Sequence, residues 1–126
     1  MNIAIITGAS SGMGMEFARQ LDNSLHKTDE IWLLARRREP MEELARTLRH
    51  KTQILAMDVT LESAMEQFAE VLAISNPKIT VLVNCAGAGE HGRFDGQRAR
   101  AGSDMMQVSI VALTRMTKLC LPYMRR

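Results

Sequence analysis

One stretch of this sequence combines residue types and spacing that could hold a phosphate: Thr7-Gly8-Ala9-Ser10-Ser11-Gly12-Met13-Gly14. Gly8 would let an incoming strand turn sharply with positive φ. Gly12 would leave out a Cβ where a pyrophosphate approaches the backbone, and Gly14 would let the next helix pack close to the strand. A helix opening near Gly12, with Met13 in its first turn, offers unpaired N–H groups and a positive dipole end. Ser10 and Ser11 add hydroxyl donors. The same glycines could simply make a tight strand-to-helix turn. Their place after a first apolar run and before an amphipathic stretch favours the phosphate-binding reading.

Two other groups could contribute. Arg36, Arg37 and Arg38 follow a second apolar run, with Ala35 where dinucleotide folds carry an acid for the ribose 2′-OH. A missing acid and a new guanidinium together suit a 2′-phosphate. The run could equally be a solvated turn ahead of Pro40. The histidines are scattered: His26 and His50 flank helices and read as surface residues, and His91 lies in a glycine-rich stretch. Cys85 and Cys120 sit in apolar surroundings without Cys-x-x-Cys or Cys/His spacing, so neither a disulfide framework nor a metal site is expected, and a reducing cytoplasm fits.

The elements that must hold the glycine turn alternate in type. Asn2 to Thr7, Ile31 to Ala35, Gln53 to Met57 and Ile79 to Val83 are short apolar runs and read as buried strands. Between them lie helical patterns. Gly14, Phe17, Ala18, Leu21 and Leu25 share one face; Met41, Leu44, Ala45 and Leu48 share another, opened by Pro40. Leu61, Ala64, Met65, Phe68 and Leu72 make a third, with Thr60 as its expected cap. Residues 85–102 hold five glycines and read as a loop, and a last helix runs from about Ser103 to the end. All-apolar strands alternating with helices predict an α/β fold: a three-layer, doubly wound parallel sheet, strand order 3-2-1-4. Its ligand crevice would lie where the order reverses, at the carboxyl ends of strands 1 and 4.

Composition sets outer bounds. The chain has 126 residues, one domain by length, with 46% apolar and 24% charged residues, which excludes disorder. A net charge of +2 is too balanced for nucleic acid. No apolar run reaches the ~18 residues of a membrane span, and the N-terminus lacks the basic region of a secretory signal.

TGASSGMG, Ala35-Arg36-Arg37, Met57-Asp58-Val59-Thr60 and Asn84-Cys85-Ala86-Gly87 fall in order after successive strands. Together with the tail VSIVALTRMTKLCLPYM they resemble the first half of the short-chain dehydrogenase/reductase family. The resemblance implies a Rossmann-type NAD(P)-binding domain over 1–126 and descent from a carbonyl/alcohol oxidoreductase. It makes Arg36, assisted by Ser11, the contact for the 2′-phosphate of NADP(H), preferred over NAD(H). It places Asp58 at the adenine amino group with the Val59 backbone beside it, and sets Asn84, Ala86 and Gly87 along the adenosine ribose and nicotinamide. Asp58 could also be an acid favoured by a helix dipole, and Asn84 a buried amide tying strand 4 to its neighbours.

The family's catalytic serine and tyrosine–lysine pair have no counterpart: the one tyrosine, Tyr123, has no residue four positions on and reads as helix-end packing. Ser109 stands at the family's supporting asparagine. The resemblance thus implies a truncated product lacking the catalytic half and inactive alone. The alternatives are a non-catalytic nucleotide-binding protein, or an interaction module without cofactor. With no fifth strand, strand 4 becomes an edge. The last helix carries two apolar stripes: Met105, Val108, Ala112, Met116 and Leu119 on one, Met106, Ile110, Leu113, Cys120 and Met124 on the other. A homodimer through that helix or the strand edge is expected.

Overall fold

Residues 1–10, 12–85 and 107–125 are described in a computed structural model of the chain. The four expected runs form the strands of one parallel sheet: β1 (Asn2–Thr7), β2 (Glu30–Ala35), β3 (Lys51–Ala56) and β4 (Lys78–Asn84), in the order β3-β2-β1-β4. β3, expected as a buried run from Gln53 to Met57, starts at Lys51 instead and, lying at the edge of the sheet, buries only Leu55. The order is the predicted one. β1 lies inside, paired to β2 from Ile3↔Glu30 to Thr7↔Leu34 and to β4 from Asn2↔Lys78 to Thr7↔Asn84. The β4 register slips between Ile3 and Ala4, and there the Thr80 hydroxyl donates to the Ile3 carbonyl at 3.1 Å. Among the described residues nothing pairs with the outer edge of β4.

Helices cover both faces: α1 (Gly12–Ser24) and α2 (Arg38–Thr47) on one, α3 (Glu62–Ser75) and α4 (Leu113–Met124) on the other. Strand alternation sorts the core accordingly. Ala4, Ile6, Ile31 and Leu33 pack with Ala18, Met41 and Leu44. Ile3, Ile5, Trp32 and Leu34 pack with Phe68, Leu72, Met116 and Cys120. Full burial of each large apolar side chain contributes about 1.5–3 kcal/mol, so the two layers carry most of the stability.

Several helices depart from their predicted faces. On α1 the buried line is Gly14, Ala18, Asp22, while Phe17 is 40% exposed. Small residues at that four-residue spacing bring α1 close to the sheet and leave the larger ring outside. α2 begins at Arg38, and Pro40 sits inside its first turn, where a missing N–H costs no helix bond. α3 begins at Glu62; its N-cap position is Leu61, which is 53% exposed and makes no side-chain cap, so Thr60 is not the cap. The last helix opens with a π-helical turn, Gln107–Ala112, before α4. Its buried line, Ala112, Met116, Cys120, draws from both predicted stripes, leaving Ile110 and Leu113 exposed. Arg115 bridges to Glu62, tying α4 to α3. Met105, Met106 and His91 lie outside the described residues, as does the glycine-rich stretch from Ala86 onward.

Candidate functional site

Parallel strands end together, so one rim of the sheet collects Gly8 after β1, Arg36 after β2, Asp58 after β3 and Asn84 at the end of β4. Cross-ties hold these segments in place. The Ala9 amide donates to the Leu34 carbonyl at 3.3 Å, and the Met57 amide to the Ala35 carbonyl at 2.9 Å. Thr7, buried at the end of β1, donates its hydroxyl to the Val83 carbonyl at 3.4 Å and accepts the Cys85 amide at 3.0 Å.

The glycine turn has the predicted backbone. Gly8 and Gly12 adopt φ of 67° and 56°, left-handed values that side chains resist. A Cβ on Gly14 would lie 2.1 Å from the Gly8 carbonyl oxygen, so α1 crosses the turn at a distance only glycine allows. A Cβ on Gly12 would meet nothing within 4 Å. The backbone at the start of α1 is therefore open to solvent, and the cradle fits a phosphate at a helix N-terminus. Met13 beside it is 71% exposed, and Ser10 is half-buried. Ser11, Ala86 and Gly87 lie outside the described residues.

Arg36 is exposed and heads the basic run. Arg37 is the N-cap of α2, and Arg38 pairs with Glu42 one helical turn on, at 3.8 Å. Of the three, Arg36 is the one whose charge is felt at Asp58. Asp58 is half-buried, and its Oδ1 accepts the Thr60 amide at 3.0 Å and the Thr60 hydroxyl at 2.6 Å. Burial alone would raise its pKa; the two Thr60 hydrogen bonds and the nearby Arg36 charge outweigh it and hold the carboxyl below its ordinary range. Val59 turns its side chain into the core beside Phe68. Asn84 makes a long contact, 3.5 Å, from its amide nitrogen to the Thr117 hydroxyl of α4, the tying role held open for it. Burial pushes the Cys85 thiol up and the Cys120 thiol to about 12, so neither is an activated nucleophile. Tyr123 packs against the core at the end of α4, and Ser109 lies in the π-helical turn.

Two residues of the rim play parts that the sequence did not assign to them. Thr7 was visible as the residue before Gly8, but its hydroxyl bridge to β4 depends on a pairing across the sheet. Thr60 stood in the right place with a different partner. His50 corrects an expectation too: it is not a plain surface residue but donates from Nδ1 to Asp22 at 2.8 Å, far from the rim.

A profile of the short chain dehydrogenase family matches residues 2–126. The chain is 31% identical over 124 residues to 3-ketodihydrosphingosine reductase of Bacteroides thetaiotaomicron, covering 98% of this chain and 42% of that one. It is 30% identical over 126 residues to retinol dehydrogenase 8 of Homo sapiens, covering 97% and 40%. The crystal structure of an alcohol dehydrogenase from the archaeon Thermococcus sibiricus, complexed with 5-hydroxy-NADP, superposes with a TM-score of 0.81. It is 26% identical, and the match covers 100% of this chain and 54% of that one. The chain spans about half the length of the curated relatives it matches. With the family's sheet order, glycine turn and profile match in one molecule, the chain belongs to the short chain dehydrogenase family.

Proposed function

We propose that residues 1–126 form one dinucleotide-binding unit that takes NADP(H) in preference to NAD(H), descended from a carbonyl/alcohol oxidoreductase. The observation that carries this is the rim itself: an open helix N-terminus at Gly12, with Arg36 rather than an acid after β2. The backbone amides from Gly12 onward would hold the pyrophosphate, and Arg36 the 2′-phosphate. Asp58 would accept from the adenine amino group, with the Val59 backbone alongside; Asn84, Ala86 and Gly87 would border the ribose and nicotinamide. Ser10, Ser11 and Met13 would line the turn. The bound nicotinamide supplies or accepts a hydride. Support comes from relatives that are reductases and dehydrogenases, and from a structural neighbour complexed with 5-hydroxy-NADP.

Calorimetric titration of the 126-residue protein with NADPH, NADH and 2′-phospho-AMP tests the reading. Charge-assisted hydrogen bonds to phosphate contribute about 1.5–3 kcal/mol, so NADPH should bind one to two decades more tightly. Arg36→Ala should erase most of that difference; equal affinities in the unmutated protein refute the assignment.

These residues hold no Tyr-x-x-x-Lys pair, and the proposal therefore includes inactivity of the isolated chain. Turnover of any ketone that survives repurification would contradict it. Self-association is the remaining part. The unpaired edge of β4 and the exposed Ile110, Val111, Leu113 and Leu121 support a homodimer. A 14.1 kDa species that does not grow with concentration in sedimentation equilibrium counts against it. The free thiols of Cys85 and Cys120 suit a reducing, cytoplasmic setting. The second reading, a nucleotide-binding protein with no chemistry of its own, predicts the same titration and the same lack of turnover.

A further inference from the structure

Thr60 has a choice of hydrogen-bond partners, and the structure shows which it takes. A threonine just before a helix ordinarily turns its hydroxyl forward to cap it. Here α3 starts at Glu62 behind Leu61, a cap position without a side-chain bond. The Thr60 hydroxyl instead reaches back to Oδ1 of Asp58 at 2.6 Å, and the Thr60 amide donates to the same oxygen at 3.0 Å. The Leu61 amide closes the turn on the Asp58 carbonyl at 3.0 Å. Both side-chain bonds therefore fall on one carboxylate oxygen. Among the described residues no donor reaches Oδ2, although the Arg36 charge lies near enough to be felt.

A carboxylate at a loop tip normally turns freely, and a ligand that uses it must stop that motion. One already held by two donors on one oxygen has lost the freedom beforehand, which lowers the cost of binding. The second oxygen is then the one available to an incoming N–H. We propose that Thr60 is a positioning residue: by occupying Oδ1 it presents Oδ2 of Asp58 to the amino group of an adenine ring. This rests on the reading that Asp58 meets adenine, and it adds the residue that makes the meeting specific.

The test compares NADPH with its purine counterpart, in which a hydrogen atom replaces the adenine amino group and so removes that donor without adding another. Affinities are measured by calorimetry on the 126-residue protein and on Thr60→Val, Thr60→Ala, Thr60→Ser and Asp58→Asn. A hydrogen bond to a charged group implies about a tenfold preference for adenine in the unmutated chain. Thr60→Ser, which restores the hydroxyl, should keep it. Thr60→Val and Thr60→Ala, two hydroxyl-free variants of different bulk, should each bring it below about threefold. The NADPH over NADH preference, which depends on Arg36, should stay unchanged in the three Thr60 variants. Undiminished adenine preference in a folded Thr60→Val or Thr60→Ala protein overturns the proposal and leaves the Asp58 reading standing. No adenine preference in the unmutated chain overturns both, while the Arg36 assignment is judged separately by its own cofactor ratio.

Discussion

At the amino end of the sheet, Asp22 on α1 is 4% exposed and is met by three donors: the Arg49 amide at 2.9 Å, the His50 amide at 2.9 Å and the His50 ring at 2.8 Å. At the carboxyl end, Asp58 is half-buried and is met by two donors, both from Thr60 and both on one oxygen. In each case burial works against the charged form and hydrogen bonding more than restores it. The difference lies in what is left over. Asp22 has spent both oxygens on the turn that leads into β3, clamping that turn to the end of α1. Asp58 has spent one. A saturated carboxylate is a structural tie; one with a single oxygen engaged among the described residues keeps the other for a donor, as the adenine proposal requires.

The sharpest challenge to that division is Gly14, a purely structural position at the ligand-facing end. Gly14→Ala would set a methyl 2.1 Å from a backbone oxygen that cannot move aside without dismantling the turn. The expected loss is more than about 3 kcal/mol, enough to abolish a cooperative thermal transition followed by circular dichroism. A mutant melting within a few degrees of the parent would show the turn to be looser than drawn.

Asp22→Ala comes next. It orphans two part-buried amides and an imidazole, and should cost about 2–4 kcal/mol in urea unfolding. Nucleotide affinity should be unchanged. The effect should also depend on pH. The folded-state carboxyl lies below its ordinary 3.8, so its stabilisation is fully present above that value and disappears as pH falls through the lower, folded value. The parent should therefore lose stability more steeply below about pH 4 than the variant does. Parallel acid-unfolding curves would deny Asp22 the role of a charged tie. Asp58→Asn is the smallest perturbation of the fold, less than about 1 kcal/mol in the same assay, because solvent reaches the group and Thr60 can still donate to the amide oxygen. Its effect should appear in adenine recognition instead. A large stability loss there with unchanged binding would reverse the division between the two ends.

The strands were legible in the sequence because a strand buried on both faces must be apolar throughout. Ile3 to Ile6 and Ile31 to Leu34 have almost no other reading. The order of the sheet followed from the handedness of its crossovers. The glycine turn was legible because each of its glycines answers a separate steric demand. Asp22 was harder. A charged residue near a helix end reads as solvated, and only its place one and two turns beyond Ala18 and Gly14 hinted that it faces inward. Its partners, Arg49 and His50, lie on a different element and share no periodicity with it. Thr60 was expected to cap α3 and does not, because the direction in which a hydroxyl turns is decided by its neighbours rather than by spacing. Arg36 follows β2 and Asp58 follows β3, and the charge of one is felt by the other only once those strands pair.

The hydroxyl of Thr7 joins β1 to β4, across 76 residues to Val83 and 78 to Cys85. β1 precedes β4 in the chain, so it stays an edge strand until β4 has been produced. Closing so long a loop must be compensated by contacts that form only on arrival. The rim proposed for the nucleotide is therefore complete only once β4 has paired with β1. A nucleotide that recognises the completed rim acts after the folding barrier is crossed, so it should slow unfolding and leave the folding rate nearly untouched.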